Sequence, residues 1–369
     1  MATAREMVSQ SQTEQKLVAA AGLMDKALMQ STGLKERERR LVINWTLATH
    51  TLPHVHTFPL LPLVGKMGTG KSQAEKIIGR FAHRSRSFSL RGRTQPVIRD
   101  ELAACYEGTA IIEEADHAWK DGDSLFERLL SDRYQRASAE AGLKQKRGDD
   151  WESATKLYFG ATVLHRRIPF NDPALDGRSV PIRFRADHSR TYTEYRDDDP
   201  LIVEGSELLR DLVFEPPAVE QPPQVAARIF HTYRLLLSMA KLCGDEGFPE
   251  VIRDRLLLET AELKEAQSAE PDGLVLRAIL DQWSVSGSYG YIKVSALVES
   301  ILRNHKVPFL PRQVAGMARQ LGFNTKNSHG VTVVVPTPAT LLAACEECGY
   351  EDDEAIAELR QQVLGTENG

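Results

Sequence analysis

The sequence predicts an α/β protein: a parallel sheet covered on both faces by helices, then a helical segment, then a smaller module of helices closed by a hairpin. Three observations predict it. Short apolar runs at 60–64, 109–112, 157–162 and 180–184 lack period-2 alternation and are separated by stretches of helical spacing, the pattern of strands buried on both faces. A glycine-rich loop of fixed spacing, 65–72, stands between the first run and a helix. The stretch 274–336 reads as two or three helices followed by strand, turn and the strand VTVVV.

Composition bounds the rest. At 369 residues the chain holds two or three domains, and 42% hydrophobic with 26% charged residues exclude collagen-like and disordered classes. The longest nearly apolar run, 58–64, contains two prolines and is far shorter than the roughly 20 residues a membrane helix needs, so no membrane association is expected. The segment MATAREMVSQSQTEQK lacks a secretory pattern and four cysteines make no disulfide framework, so the expected compartment is the reducing cytoplasm. With a net charge of −5 there is no global attraction to nucleic acid, and any such contact must come from local patches.

In chain order, apolar residues at helical spacing predict a helix over 12–29 and a second over 34–50, which opens on KERERR and buries VINWTLATH. Prolines at 53, 59 and 62 end it and lead to the strand 60–64. Strands and helices then alternate to about residue 186, and the acidic, proline-rich stretch 197–224 reads as a connector. Helices are expected over 225–242 and 249–267. After SAEPDG come helices around 274–283, 294–304 and 311–321 and the hairpin 322–336, a winged-helix-like order. The expected organisation is therefore N-terminal helices (1–50), an α/β core (51–196), linker and helical lid (197–270), a winged-helix-like domain (271–345) and an acidic tail (346–369). No internal repeat is evident.

Residues 65–72, GKMGTGKS, fit G-x-x-x-x-G-K-[ST] in full, between strand and helix. Gly65, Lys66, Met67, Gly68, Thr69 and Gly70 would offer backbone N–H groups to phosphates, with the helix N-terminus adding its dipole. Lys71 would reach the β- and γ-phosphates, and Ser72 would hold Mg²⁺. In TAIIEEAD, 109–116, an apolar strand ends in two carboxylates; Glu113 is placed on the Mg²⁺ side and Glu114 as the group that activates water. The string EEAD is shared with DEAD-type helicases, but none of their other motifs is present. The run LYFGAT is expected to end at Thr162, within reach of the γ-phosphate. Arg178, in DPALDGRSVPIRF, is expected between a helix and the next strand, where it can reach a neighbouring subunit's nucleotide. No N-K-x-D motif is present, which favours ATP over GTP.

In this order, GKMGTGKS, IIEEAD, LYFGAT and ALDGRS resemble the AAA+ ATPases over about residues 50–190. More narrowly, RYQRASAEAGLKQKRGDDWESATKLYFGAT through DPALDGRSVPIRF is similar to the helicase-like ATPases of phages, plasmids and mobile elements, in which a hairpin precedes the sensor strand, as in superfamily-3 and MCM-type helicases. The resemblance implies an ATP- and Mg²⁺-dependent homo-oligomer, usually a hexameric ring, with DNA in its pore. It places a pore hairpin near 135–155, tipped by Lys144, Lys146 and Arg147, and a second sensor at Arg228 in the lid. Glu113 where Asp is usual, and Thr162 where Asn is usual, depart from the pattern.

Two further features bear on nucleic acid. Between 79 and 99 there are six arginines (80, 84, 86, 91, 93 and 99) and no acid, a run that can meet phosphates, line a subunit interface or pair with carboxylates elsewhere. Phe81 and Phe88 read as core. In the last module the helix 311–321 can expose Arg312, Gln313 and Arg319, with a wing at 326–330, to DNA or to a partner protein. Cys345 and Cys348 lack a second pair or a spaced His for zinc, and His54 and His56 read as ordinary loop residues. The leading expectation is a DNA-translocating or remodelling ATPase. The rival is an ATP switch whose oligomer recruits a partner protein. A small-molecule kinase would leave the hairpin and Arg178 without a role.

Overall fold

The computed structural model describes residues 4–115, 124–147, 150–168, 170, 172–185, 191–286, 291–328, 331–348, 350, 359–361 and 363. The chain divides into two compact units, Met1–Leu256 and Leu257–Gly369.

The first unit is built on a parallel sheet of five strands: β1 (Leu60–Val64), β2 (Arg86–Ser89), β3 (Thr109–Glu113), β6 (Ala161–Arg166) and β7 (Ile182–Arg183). Their order is β2-β3-β6-β1-β7. Every residue of β1, and the first four of both β3 and β6, are buried. Successive side chains of a strand point to opposite faces, so uniform burial means that both faces are covered: a three-layer α/β core. Pro62 lies in β1, which has a strand on either side, and has no N–H to give. β1 pairs continuously with β6, whereas its pairing with β7 covers only Leu63 and Val64 beyond an isolated bridge from Leu60 to Ser179.

Helices α3 (Lys71–Phe81), α4 (Gln95–Ala104), α5 (Ser124–Arg133) and α6 (Pro173–Asp176) connect the strands. A separate antiparallel hairpin, β4 (Glu140–Arg147) and β5 (Asp150–Leu157), precedes β6. Two helices open the chain, α1 (Ala4–Ser31) and α2 (Glu36–Ala48), followed by a 3-10 turn over Thr49–His54. Trp45 is fully buried, stacks edge-on against Phe58 at 5.4 Å and donates from Nε1 to the Pro59 carbonyl at 2.9 Å, which fixes α2 against the entry to β1.

Two sequence expectations are corrected. The strand expected over 157–162 is divided: β5 ends at Leu157 and β6 begins at Ala161. The stretch 197–224 is not wholly a connector. It contains α7 (Pro200–Leu209), capped by the Asp199 side chain on the Leu201 N–H. Its buried positions Ile202, Gly205 and Leu209 give it a core face, and Gly205 lies so close to Phe81 that a Cβ would meet the ring at 2.3 Å. The acidic neighbours masked that face in the sequence. Helix α8 (Ala227–Leu242) follows, and α9 (Phe248–Ala269) runs past the boundary between the units.

The second unit comprises α10 (Pro271–Ser286), β8 (Ile292–Lys293), α11 (Val294–His305), α12 (Pro311–Gln320), β9 (Asn324–Ser328), β10 (Val331–Val335) and α13 (Pro338–Glu347). The strands form an antiparallel sheet of order β8-β10-β9. Its core gathers Val275, Ile279, Leu297, Ile301, Val314, Ala318, Val334 and Leu341 with the buried thiols Cys345 and Cys348. No helix among the described residues is long and apolar enough to cross a membrane.

Candidate nucleotide-binding site

The glycine-rich loop 65–72 leaves the buried strand β1 and enters α3. Gly65 is anchored by its N–H to the Arg166 carbonyl at 3.2 Å, and a Cβ there would meet the Phe184 carbonyl oxygen at 2.7 Å, so only glycine fits where β1, β6 and the segment after β7 converge. Gly68 and Gly70 take left-handed backbone angles, φ 77° and 89°, and Gly70 is the N-cap of α3. Thr69 is buried and its hydroxyl donates to the Lys66 carbonyl at 2.8 Å, closing the loop on itself. Lys66 and Met67 are exposed, Met67 by 82%, and Ser72 is exposed in the first turn of α3. Lys71 is buried to 3% exposure and its ammonium donates to the carbonyls of Gly65 at 2.5 Å and Lys66 at 2.7 Å.

Register places the acids at the same edge. Ile112 stands level with Leu164, and Leu164 level with Pro62, so Glu113 is level with His165 and Leu63. Glu113 and Glu114 are both exposed one strand away from β1, with β6 between. Glu114 has φ 54°, a left-handed angle that costs a non-glycine residue free energy and is concentrated at functional sites.

Two residues the sequence did not single out complete this edge. Glu75, one turn beyond Lys71 on α3, is buried, and its Oε2 lies 2.9 Å from Nδ1 of His165. Burial pushes the Glu75 carboxyl above the usual range; the His165 hydrogen bond and charge oppose this, the Glu113 charge adds to it and Lys71 opposes it. Its Oε1 is buried with no hydrogen-bond partner among the described residues. The signal for His165 was present: in ATVLHRR the apolar run ends at Leu164, so the first polar side chain past it is His165.

Three predicted residues lie at the opposite edge. Thr162 pairs with Leu60, about 16 Å of strand from the phosphate loop at about 3.3 Å per residue. It is fully buried, with its hydroxyl accepting from Arg133 Nε at 3.0 Å. The reach to a γ-phosphate expected of Thr162 is corrected on this ground: β6 starts, rather than ends, beside it. Arg178 precedes β7, its carbonyl accepting from the Leu60 N–H; its side chain donates to the Ser131 hydroxyl and stacks over Tyr134 at 5.4 Å. Arg228, exposed on α8, lies against Gly177 and donates to the Pro173 carbonyl at 3.5 Å. The structure does not bring Arg228 to the phosphate loop of its own chain.

The hairpin β4–β5 places Lys144 opposite Ser153, Lys146 opposite Trp151 and Arg147 opposite Asp150, so Lys146 and Arg147 form the last pairs before residues 148 and 149, which lie outside the described residues. In the arginine run, Arg86 and Arg93 pair with Glu101, Arg99 lies 3.9 Å from Asp100 and Arg80 lies 3.9 Å from Asp197. Phe81 and Phe88 are buried. In the second unit Arg312 and Arg319 are exposed on α12.

The donors fit a nucleoside triphosphate with Mg²⁺. Nothing lies within 4 Å of where a Gly68 Cβ would stand, the ammonium of Lys71 is held on the loop it would share with phosphate, and Ser72, Glu113 and Glu114 offer the hard oxygen donors that Mg²⁺ takes.

No family model matches this chain, and no curated protein matches it. Among solved structures it is similar to the A form apo structure of the NrS-1 C-terminal region, at 14% identity and a TM-score of 0.42, over 85% of this chain and 75% of that one. It is also similar to the JCV helicase bound to a thiazolopyridinyl-phenoxyphenyl acetamide, at 13% identity and a TM-score of 0.28, over 71% of this chain and 76% of that one.

Proposed function

We propose that this chain is an oligomerising ATPase of AAA+ type that moves along or remodels DNA, in the replication or DNA processing of a mobile element. The observation that supports it is the meeting, at one edge of a five-stranded parallel sheet, of a phosphate loop, the buried Lys71 and the acid pair Glu113 and Glu114 one strand away.

Residues 65–72 would hold ATP phosphates, and Ser72 and Glu113 would hold Mg²⁺. Bound MgATP supplies the γ-phosphoryl group and the cation that neutralises its charge. Lys71 would exchange the carbonyls of Gly65 and Lys66 for phosphate oxygens without leaving the loop. Glu114 would orient water and accept its proton. Arg178 and Arg228, both at the far edge, are assigned to the nucleotide of an adjoining subunit in a ring, hexameric by the family resemblance. Lys144, Lys146 and Arg147 on the hairpin are assigned to DNA phosphates.

The test is steady-state ATP hydrolysis at fixed salt, with and without single-stranded and duplex DNA, using Glu114→Gln as the blank. Stimulation of roughly tenfold that weakens as salt rises is expected. Replacing Lys144, Lys146 and Arg147 together by Ala should remove the stimulation and leave ATP binding intact. Hydrolysis indifferent to every nucleic acid would overturn the motor reading in favour of a switch that recruits a partner protein.

A further inference from the structure

The second unit carries a charge segregation that the nucleotide site does not use. Between Tyr291 and Val335 the sequence has Lys293, Arg303, Lys306, Arg312, Arg319 and Lys326 against one acid, Glu299. This segment is therefore +5 in a chain of net charge −5, which leaves −10 on the remainder. All six basic side chains are exposed, and none forms an ion pair among the described residues. The arginine run of the first unit behaves differently, with four of its six members facing carboxylates. The unit as a whole, 257–369, holds 15 acids against nine bases, so the surplus is local: exposed bases without an ion-pair partner form a positive patch on this segment that is available to a polyanion.

The geometry narrows the polyanion. Helix α12 buries Val314, Ala315 and Ala318 and exposes Arg312, Gln313, Arg319 and Gln320. Gln313 is occupied in capping its own helix, its Oε1 accepting from the Leu310 N–H at 2.8 Å, so the two arginines remain for a ligand. They stand seven residues apart, about 10 Å along a helix, comparable with a B-DNA major groove about 12 Å wide. Nothing lies within 4 Å of a Cβ placed at Gly316 between them, so the helix surface there is low and permits close approach. Lys326 extends the basic face onto β9, opposite Val333 of β10. No aromatic residue occurs in α12, β9 or β10, so the stacking platforms that hold single strands are missing from these elements. A-form RNA has a major groove too narrow for a helix.

We propose that this unit is a duplex-DNA docking module that acts without nucleotide: α12 enters the major groove with Arg312 and Arg319, and the β9–β10 hairpin brings Lys326 to the adjacent backbone. None of these residues belongs to the loop 65–72 or to the acid pair, so duplex is anchored whether or not ATP is turned over.

The test is fluorescence anisotropy of the full chain, free of nucleotide, with a labelled duplex of about 20 base pairs and a single strand of equal length, over a range of salt. The wild type should prefer duplex. Combined Arg312→Ala, Arg319→Ala and Lys326→Ala should weaken duplex binding by about tenfold or more at about 50 mM salt and lower the salt slope by about two to three. Arg312→Lys with Arg319→Lys should keep most of the affinity, which separates loss of charge from loss of fold. Lys71→Ala should leave duplex binding unchanged. Variant-sensitive duplex binding in a wild type that hydrolyses no ATP would uphold this site while sinking the ATPase reading. Duplex affinity unchanged in the triple Ala variant overturns the proposal. So does a wild type that ignores duplex at about 50 mM salt, which would leave an acidic protein as the partner of this face.

Discussion

At the C-terminal edge of the central sheet, Glu75 is buried with one carboxylate oxygen on His165 and the other without a hydrogen-bond partner among the described residues. At the N-terminal edge Arg133 is fully buried and donates to Thr162 and to five backbone carbonyls, those of Leu102, Cys105, Gly108, Tyr158 and Ala161. Burial pulls the Arg133 guanidinium down to about 10, which leaves it charged at neutral pH. Gly160 has no room for a side chain, since a Cβ would stand 2.5 Å from Nη2 of Arg133. Both are buried ionisable groups on helices packed against the same sheet, yet among the described residues one is saturated by fixed dipoles and the other is not. A saturated charge is a structural pin that joins the end of α4, the start of β3 and the start of β6. An incompletely satisfied one is sensitive to whatever next enters its surroundings, whether a proton, a cation or a phosphate.

The largest expected effect is at the C-terminal edge. Glu114→Gln should lower ATP turnover by about 10²- to 10⁴-fold while ATP binding persists, and Lys71→Ala should remove binding, both measured by equilibrium nucleotide binding beside steady-state hydrolysis. Normal hydrolysis by Glu114→Gln would mean that the chemistry does not occur at this edge.

At the opposite edge, Arg133→Met should destabilise the first unit by at least about 3 kcal/mol, since several buried acceptors lose their donor together. That corresponds to a fall in Tm of roughly 6–12 °C, with turnover per folded molecule unchanged. A variant that melts like the wild type but fails to turn over ATP would erase the contrast between the edges.

A smaller effect sharpens the comparison. A carboxyl whose pKa is raised on folding stabilises the fold below its unfolded value near 4.5 and loses that contribution as pH rises through the folded value. Glu75→Gln should therefore raise Tm at pH 7, with the gain shrinking as pH approaches 4.5. A lower Tm for this variant at pH 7 would show that the Glu75 charge is stabilising after all.

The smallest effect involves two histidines outside both edges. His50 is buried with its ring nitrogens 3.0 Å from the Leu212 carbonyl and 2.9 Å from that of Phe81, and burial holds it below its ordinary value. His83, stacked edge-on beside it at 5.4 Å, is lowered to about 4 by burial and by the His50 charge. Groups kept neutral by folding contribute stability above pH 6.5 that is lost as pH falls toward 4. Tm should decline across that window, and His83→Gln should make the decline shallower. A variant with an unchanged slope would remove His83 from the account.

Much of the first unit was legible because its signals are contiguous. The strand β1, the loop 65–72 and the helix α3 follow one another without interruption, and the apolar run before Glu113 and Glu114 marks β3 directly. Thr162 was misplaced because LYFGATVL is apolar on both sides of a short loop at 158–160, so nothing local says where one strand ends and the next begins. Helix α7 was hidden by the acidic residues 197–199 before it and the prolines after it. Glu75 gave no signal at all, since a glutamate on an amphipathic helix ordinarily faces water.

The sequence by itself determined the glycine-rich loop, the acid pair and the positive charge of the segment 291–335, because each is a property of neighbouring residues: backbone conformation, strand exit and net charge are set over a few positions. Only the tertiary structure decided which polar residue of β6 stands beside the loop and which stands about 16 Å away, since that is fixed by strand register, a property of pairing between segments about a hundred residues apart. It alone also separated Arg133 from the other arginines, through five carbonyls that lie 25 to 31 residues from it along the chain. Local chemistry is written in order along the chain. Which side chains meet depends on the closing of long loops, whose entropy only the packed core offsets.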